Sequence, residues 1–213
     1  MNSIEVKAKR TRLTPHKRKQ DLLEQSMRVF AMQGIGRCGH TEIAQAAGVS
    51  VATVFNYFQS REDLLDQVLQ QVVQRFERFI VDSIDERESV RKNIDRISNG
   101  IIKLVKDEQY WLHIWFEWSA SARHDLGPLF VSSNNAVSKH LENMFERAMV
   151  RGEVCDQHQA TDLVNMLYAL VYMLFTQANR NHSQRELKRM RTSIFDMLCI
   201  YQHAPNASRF VRF

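Results

Sequence analysis

Apolar residues recur along this chain at three- and four-residue steps, the period of helices packed on one face. Leu22, Leu23, Ser26, Met27, Phe30 and Ala31 predict a first helix over 15–33, with Thr14 as its N-cap and Pro15 in its first turn. Gly34 and Gly36 end it. A short pattern over 42–47 follows, with Ile43, Ala44 and Ala47 inward, the alanines allowing two helices to cross closely. Gly48 supplies positive φ for a turn, and Ser50 caps a third helix over 51–57. Ser60 and Asp63 form the opening of a long helix over 61–84, whose apolar positions run from Leu64 and Leu65 to Phe76, Phe79 and Ile80. Further helices are predicted over 90–105, 108–121, 128–151, 160–179 and 183–201, about nine in all. The organisation expected is an extended arm over 1–15, a three-helix domain over 16–60, a larger helical domain over 61–201 and an irregular tail over 202–213.

Helix, Gly-centred turn, helix within TEIAQAAGVSVATVFNYF is the signature of a helix-turn-helix, whose second helix enters the major groove of duplex DNA. Charge points the same way. Residues 1–60 carry nine Lys or Arg against four Asp or Glu, while the remainder is balanced, so the whole net charge of +5 sits beside the motif. Arm residues Lys9, Arg10 and Arg12 are expected in a minor groove, and Lys17, Arg18 and Lys19 at phosphates. On the third helix, Ser50, Val51, Thr53 and Asn56 are expected outward, with Ala52, Val54, Phe55 and Phe58 largely behind them. Asn56 is the candidate base reader, because an amide pairs bidentately with adenine; Val51 and Ala52 suit thymine methyls, and Thr53 and Tyr57 suit phosphates or base edges. Gly39 and His40, opening the second helix, complete the expected DNA-facing set.

Tyr110, Trp111, Trp115, Phe116 and Trp118 lie within nine positions, an aromatic density that suits a packed core or a small-molecule cavity. Leu163, Met166, Leu167, Leu170, Leu174, Ile194, Met197 and Leu198 suggest a four-helix seam built from two helices of each subunit of a homodimer, which suits paired half-sites on DNA. Three distant cysteines without a C-x-x-C pair argue against a disulfide framework and a structural zinc. The histidines lack ligand spacing, and there is no Walker loop or dinucleotide fingerprint, so no metal, no cofactor and no catalysis are expected. The start lacks a signal-peptide apolar region and the longest apolar run is too short for a membrane span, which predicts a cytoplasmic, nucleoid-associated protein.

IAQAAGVSVATVFNYFQSREDLLDQVL resembles the DNA-binding domain of TetR-type bacterial regulators. RTRLTPHKRK, GIGRCGH, WFEWSASAR, RGEVCDQHQATDL and NMLCIYQ extend the likeness nearly end to end, to the quorum-sensing master regulators of vibrios and their relatives, the HapR, SmcR, OpaR, LitR and vibrio-type LuxR group. The resemblance implies an all-α, TetR-like homodimer that activates some genes and represses others, with RNA polymerase as a partner when activating and a pseudo-palindromic operator. It implies a cavity for an unidentified small apolar ligand, lined by Phe76, Phe79, Leu104, Trp115, Phe116 and Met144, with Val171 where some relatives have cysteine. The alternative in the same fold is a ligand-released repressor of efflux or metabolic genes. The wider family commonly has tyrosine at Phe55, histidine at Tyr57 and threonine at Gly39, so phosphate contacts are expected to pass to Tyr57 and the arm.

Overall fold

A computed structural model describes residues 14–121, 126–154 and 157–197. Among them are ten helices: α1 (Pro15–Gln33), α2 (His40–Ala47), α3 (Val51–Phe55), α4 (Arg61–Ser83), α5 (Val90–Lys106), α6 (Tyr110–Ser119), α7 (Leu126–Ser133), α8 (Asn135–Val150), α9 (Ala160–Asn179) and α10 (Gln184–Met197). The chain divides into two compact units, Met1–Val68 and Leu69–Phe213, and the division falls within α4.

In the first unit, Thr14 Oγ1 accepts the Lys17 amide and Pro15 occupies the first turn, as the sequence predicts. Leu22, Met27, Phe30, Ile43, Val54, Phe58 and Leu64 build the core, and the buried Ser26 hydroxyl donates to the Leu22 carbonyl at 2.7 Å. α2 starts two residues earlier than expected. The Glu42 carboxylate accepts the Gly39 amide at 2.9 Å, which caps the helix without a side-chain oxygen at position 39. α3 stops at Phe55 rather than Tyr57, because Asn56 and Tyr57 bend into a turn. At α4, Ser60 Oγ accepts the Asp63 amide and the Asp63 carboxylate accepts the Gln59 amide.

The second unit is layered on α5, whose buried stripe of Ile94, Ile97, Ile101 and Ile102 lies against α8 and α9. α6 is buried almost all round: Trp111, Leu112, Ile114, Trp115, Phe116 and Trp118 are all inside, and Glu117 is exposed. The single helix expected over 128–151 is two, because Asn134 interrupts it. Asn134 is buried; its Oδ1 accepts the Trp115 indole N–H at 3.0 Å and its amide donates to the Phe130 carbonyl at 2.9 Å. Ser183 and Glu186 cap α10 reciprocally, and the expected extension of that helix to 201 lies outside the described residues.

Four helices end in one device. Gly48, Glu108, Gly152 and Asn181 take left-handed φ of 60°, 51°, 67° and 61°. At each, its amide donates three residues back and the next amide five residues back, satisfying the last carbonyls. Glu108 is the poor fit, since its Cβ is strained there, and its conformation also delays α6 from the expected 108 to Tyr110. Glu108→Gly should relieve that strain. It exposes no apolar surface, and glycine's greater unfolded freedom offsets part of the gain, leaving about 0.5–1 kcal/mol of added stability. A higher urea midpoint with unchanged slope is the expected reading.

Gly100 has a different reason. A Cβ there would lie 2.5 Å from Phe79 Cε2 and 2.9 Å from Cζ, so the ring sits directly on the α5 backbone. Alanine would gain about 1 kcal/mol of helix propensity but overpack by about 1–3 kcal/mol. Gly100→Ala should therefore lower stability in the native sequence and raise it in a Phe79→Ala background, a reversal that a double-mutant cycle measures.

Candidate nucleic-acid interface

Gly48, in its left-handed conformation, turns the chain sharply from α2 into α3. Ser50 Oγ accepts the Thr53 amide at 3.2 Å, and the two hydroxyls lie 2.8 Å apart, so both are engaged in starting the helix. Val54 anchors α3 in the core, and Phe58 anchors the turn that follows. At about 100° per residue, Ala52 and Asn56 then point directly away from Val54, with Val51 and Phe55 together on one flank. All four are exposed, and Thr53 and Tyr57 are half-buried.

Three residues are placed differently from expectation. Ala52 and Phe55 face outward rather than behind the helix; Phe55 is 48% exposed. A helix of five residues has room for one anchoring line, and Val54 with Phe58 takes it. His40 is internal rather than DNA-facing. It is 7% exposed, and its ring stacks on Phe55 with centroids 3.9 Å apart and planes 9° apart. Its Nε2 lies 2.8 Å from the Phe58 carbonyl, an acceptor only, so Nε2 carries the proton and donates. His40 thus supports the recognition segment from beneath.

Of the cations, Lys17 is exposed, Arg18 pairs with Asp21 at 3.2 Å, and Lys19 Nζ lies 5.9 Å above the Phe58 ring. Lys9, Arg10 and Arg12 lie outside the described residues. Gly39 is half-buried with extended backbone. A residue with no recognisable signal in the sequence completes the frame. Arg61, first in α4, donates from Nε to the Cys38 carbonyl at 2.9 Å and from Nη2 to the Ile35 carbonyl at 2.8 Å. Its acceptors are backbone atoms, which residue types do not reveal.

In the second unit, the residues expected around a cavity are brought together in part. Phe76 stacks on Trp115 at 3.9 Å, Phe79 lies 6.1 Å from Phe76, and Trp115 meets Phe116 edge-on at 5.0 Å. Met144 and Val171 are buried and Leu104 is half-buried. Sequence reasoning missed the polar atoms among these rings: Asn134 on Trp115, and Tyr168, 5.9 Å from Trp115, whose hydroxyl lies 3.3 Å from Ser138 Oγ. Burial pushes the Tyr168 phenol above its ordinary range. An open cleft of about 660 Å³ in this unit lies among Val105, Tyr110, His113, Asn179 and His182 and shares no lining residue with the expected set. Burial lowers the His113 pKa, and the ring lies edge-on to Phe175.

The expected dimer seam needs correction. Leu163, Leu167, Leu170 and Leu174 are buried within their own subunit, facing the layer of α5 and α8. Met166 and Ile194 are half-buried; the Met197 side chain and Leu198 lie outside the described residues. α9 is apolar over most of its circumference, so the leucine period marks the inner stripe. Its outer stripe is Asp162, Asn165, Ala169 and Tyr172, all exposed. Among the described residues, no three His, Cys, Asp or Glu side chains converge as metal ligands, and no helix is long and apolar enough to cross a membrane.

Comparison with known proteins agrees with this geometry. Residues 22–68 match the family described as bacterial regulatory proteins, tetR family. The HTH-type transcriptional regulator LuxR of Vibrio harveyi is 51% identical over 201 residues, covering 94% of this chain and 98% of that protein. The HTH-type transcriptional regulator PksA of Bacillus subtilis (strain 168) is 24% identical over 159 residues, 73% and 75% of the two chains. Among solved structures, a tetR-family regulator from Rhodococcus sp. superposes with a TM-score of 0.71 at 21% identity, covering 86% of this chain and 99% of its own. FadR of Bacillus subtilis, solved with stearoyl-CoA, gives 0.69 at 16% identity, with the same coverages. A helix-turn-helix framed by α1 and α4, an all-helical second unit and a half-identical relative along nearly the whole length place this chain in the tetR family, as a DNA-binding transcriptional regulator.

Proposed function

We propose that this regulator controls quorum-sensing genes, activating some and repressing others, by reading a pseudo-palindromic operator with the exposed face of α3. The observation that carries the reading is that face: Val51, Ala52, Phe55 and Asn56 lie exposed around one short helix whose opposite side is buried. Asn56 reads a base edge, Val51 and Ala52 meet thymine methyls, and Tyr57 with Ser50 and Thr53 lies toward the backbone. Lys17 contacts phosphate, with Arg18 and Lys19 nearby, while Lys9, Arg10 and Arg12 of the arm enter the minor groove. TetR-family regulators bind DNA as dimers. In this one, the outer stripe of α9, with Asn165, Ala169 and Tyr172, serves the seam in place of the buried leucines. It acts in the cytoplasm at the nucleoid, by binding rather than catalysis, and engages RNA polymerase where it activates. The ring cluster of Phe76, Phe79, Trp115 and Phe116, with its Asn134 and Tyr168 polar atoms, is the place for a small apolar ligand.

Asn56→Ala should weaken binding to a selected operator by about 1–3 kcal/mol and to random duplex by much less, whereas Lys17→Ala should weaken both alike and flatten the salt dependence by about one unit of slope. Fluorescence anisotropy over a salt series separates the two; equal losses for Asn56→Ala on both duplexes would remove it from base reading. Deleting residues 1–12 should abolish activation of a reporter while repression persists. Loss or survival of both together would show that the arm does not distinguish the two modes.

A further inference from the structure

Two stretches of chain face one another in the first unit, 35–40 and 55–61, and the side chains of Arg61 and His40 link them. Arg61 holds the Ile35 and Cys38 carbonyls of the α1–α2 loop with two separate nitrogens of its guanidinium, at 2.8 and 2.9 Å. Two residues beyond Cys38, His40 donates to the Phe58 carbonyl at 2.8 Å and stacks under Phe55. Ser60, the residue before Arg61, caps α4 by accepting the Asp63 amide at 3.1 Å. The α1–α2 loop carries GIGRCG, three glycines in six residues, whose freedom is offset in part by the Arg37 amide and Cys38 thiol on the Gly34 carbonyl and by the buried Ile35 and Cys38 side chains.

We infer that Arg61 is a positioning residue for specific DNA binding: it pins the α1–α2 loop to the first turn of α4, and through His40 it fixes the aim of the Val51–Tyr57 segment without itself touching DNA. A basic residue beside a DNA-reading helix is ordinarily taken for a phosphate contact. Here the guanidinium is half-buried and two of its nitrogens already donate to carbonyls inside the domain. The fork geometry matters, because lysine offers a single ammonium on a stem that does not reach both acceptors in one plane. A loop left unpinned lets α2 begin in several orientations. His40 then loses its fixed partner at Phe58, and the face carrying Asn56 is spread over those orientations. Specific contacts need all groups in register and suffer; nonspecific attraction to phosphates does not.

The inference rests on the reading that Val51–Tyr57 enters the major groove, and the test separates the two. A duplex is first selected from a random library by the wild-type protein. Failure to enrich any sequence overturns the groove reading itself. With that duplex, R61K and R61M are compared with wild type on selected and random DNA across a salt series, and amide hydrogen exchange is followed over residues 35–43. Positioning predicts that both variants lose about tenfold or more on the selected duplex and little on random DNA, with the salt slope unchanged and faster exchange in the loop. A phosphate contact predicts the opposite: rescue by R61K, equal losses on both duplexes for R61M, a slope lower by about one and unchanged exchange. That outcome, or wild-type affinity in both variants, overturns the inference. Should R61M fail to fold, R61K carries the same comparison, since it retains the charge and removes only the fork.

Discussion

The recognition face depends on a constraint of length. α3 has five residues. No helix of that length persists in water by itself, because nucleation is unfavourable and only a bond or two offsets it. Its conformation is therefore borrowed. The Ser50 and Thr53 hydroxyls hold the start, Val54 and Phe58 sink into the core at the end, and His40 lies flat beneath Phe55. Apart from the Ser50–Thr53 cap, these are contacts with neighbours rather than within the helix. On the reading proposed above, a face carried by so short an element is only as well defined as the frame behind it.

The second unit solves a different problem. Its aromatic layer is dense enough to exclude water, yet each indole brings an N–H that must find an acceptor. Trp118 finds the Leu126 carbonyl at 2.8 Å, and Trp115 finds Asn134. Leaving one such N–H unpaired costs about 1–3 kcal/mol, more than a local interruption of a helix whose neighbouring amides stay bonded. Asn134 accordingly leaves regular helical geometry, with φ −97° and ψ 6°, while Asn134 and Ser138 amides keep their bonds to the Phe130 and Asn134 carbonyls. The α7–α8 break is the form that satisfying Trp115 takes.

These two cases mark what the sequence can and cannot disclose. Helix starts and long helices are legible: Thr14-Pro15 places α1, and the apolar run over 160–179 delimits α9, because caps and periodicity are local. Gly48 is legible as a turn for the same reason. Asn134 is not, since its reason lies nineteen residues away on Trp115. The inward turn of Leu163, Leu167, Leu170 and Leu174 is not, because a helix apolar on most sides does not say which stripe its own subunit takes. At the interface, Asn56 and Val51 are read correctly as exposed, whereas Phe55 and His40 are misread; a stacked pair in which one ring hides the other has no periodic signature. Arg61 is invisible for a plainer reason, as carbonyls belong to every residue.

The cationic part of the interface follows separate physics. Lysine and arginine in a first helical turn oppose the macrodipole by about 0.3–1 kcal/mol each at low salt. α1 has three in succession, and two are compensated internally, Arg18 by Asp21 and Lys19 by the Phe58 ring. Among the described residues Lys17 makes no ion pair, so the isolated domain keeps that penalty. An adjacent phosphate removes it, and the gain is electrostatic and screened over about 10 Å at 0.1 M salt. The frame of His40, Phe58 and Ile35 is buried and is screened far less. On the reading proposed above, raising ionic strength should therefore strip affinity while leaving discrimination between sequences largely in place, because charge is assigned the first and the short helix, held from behind, the second.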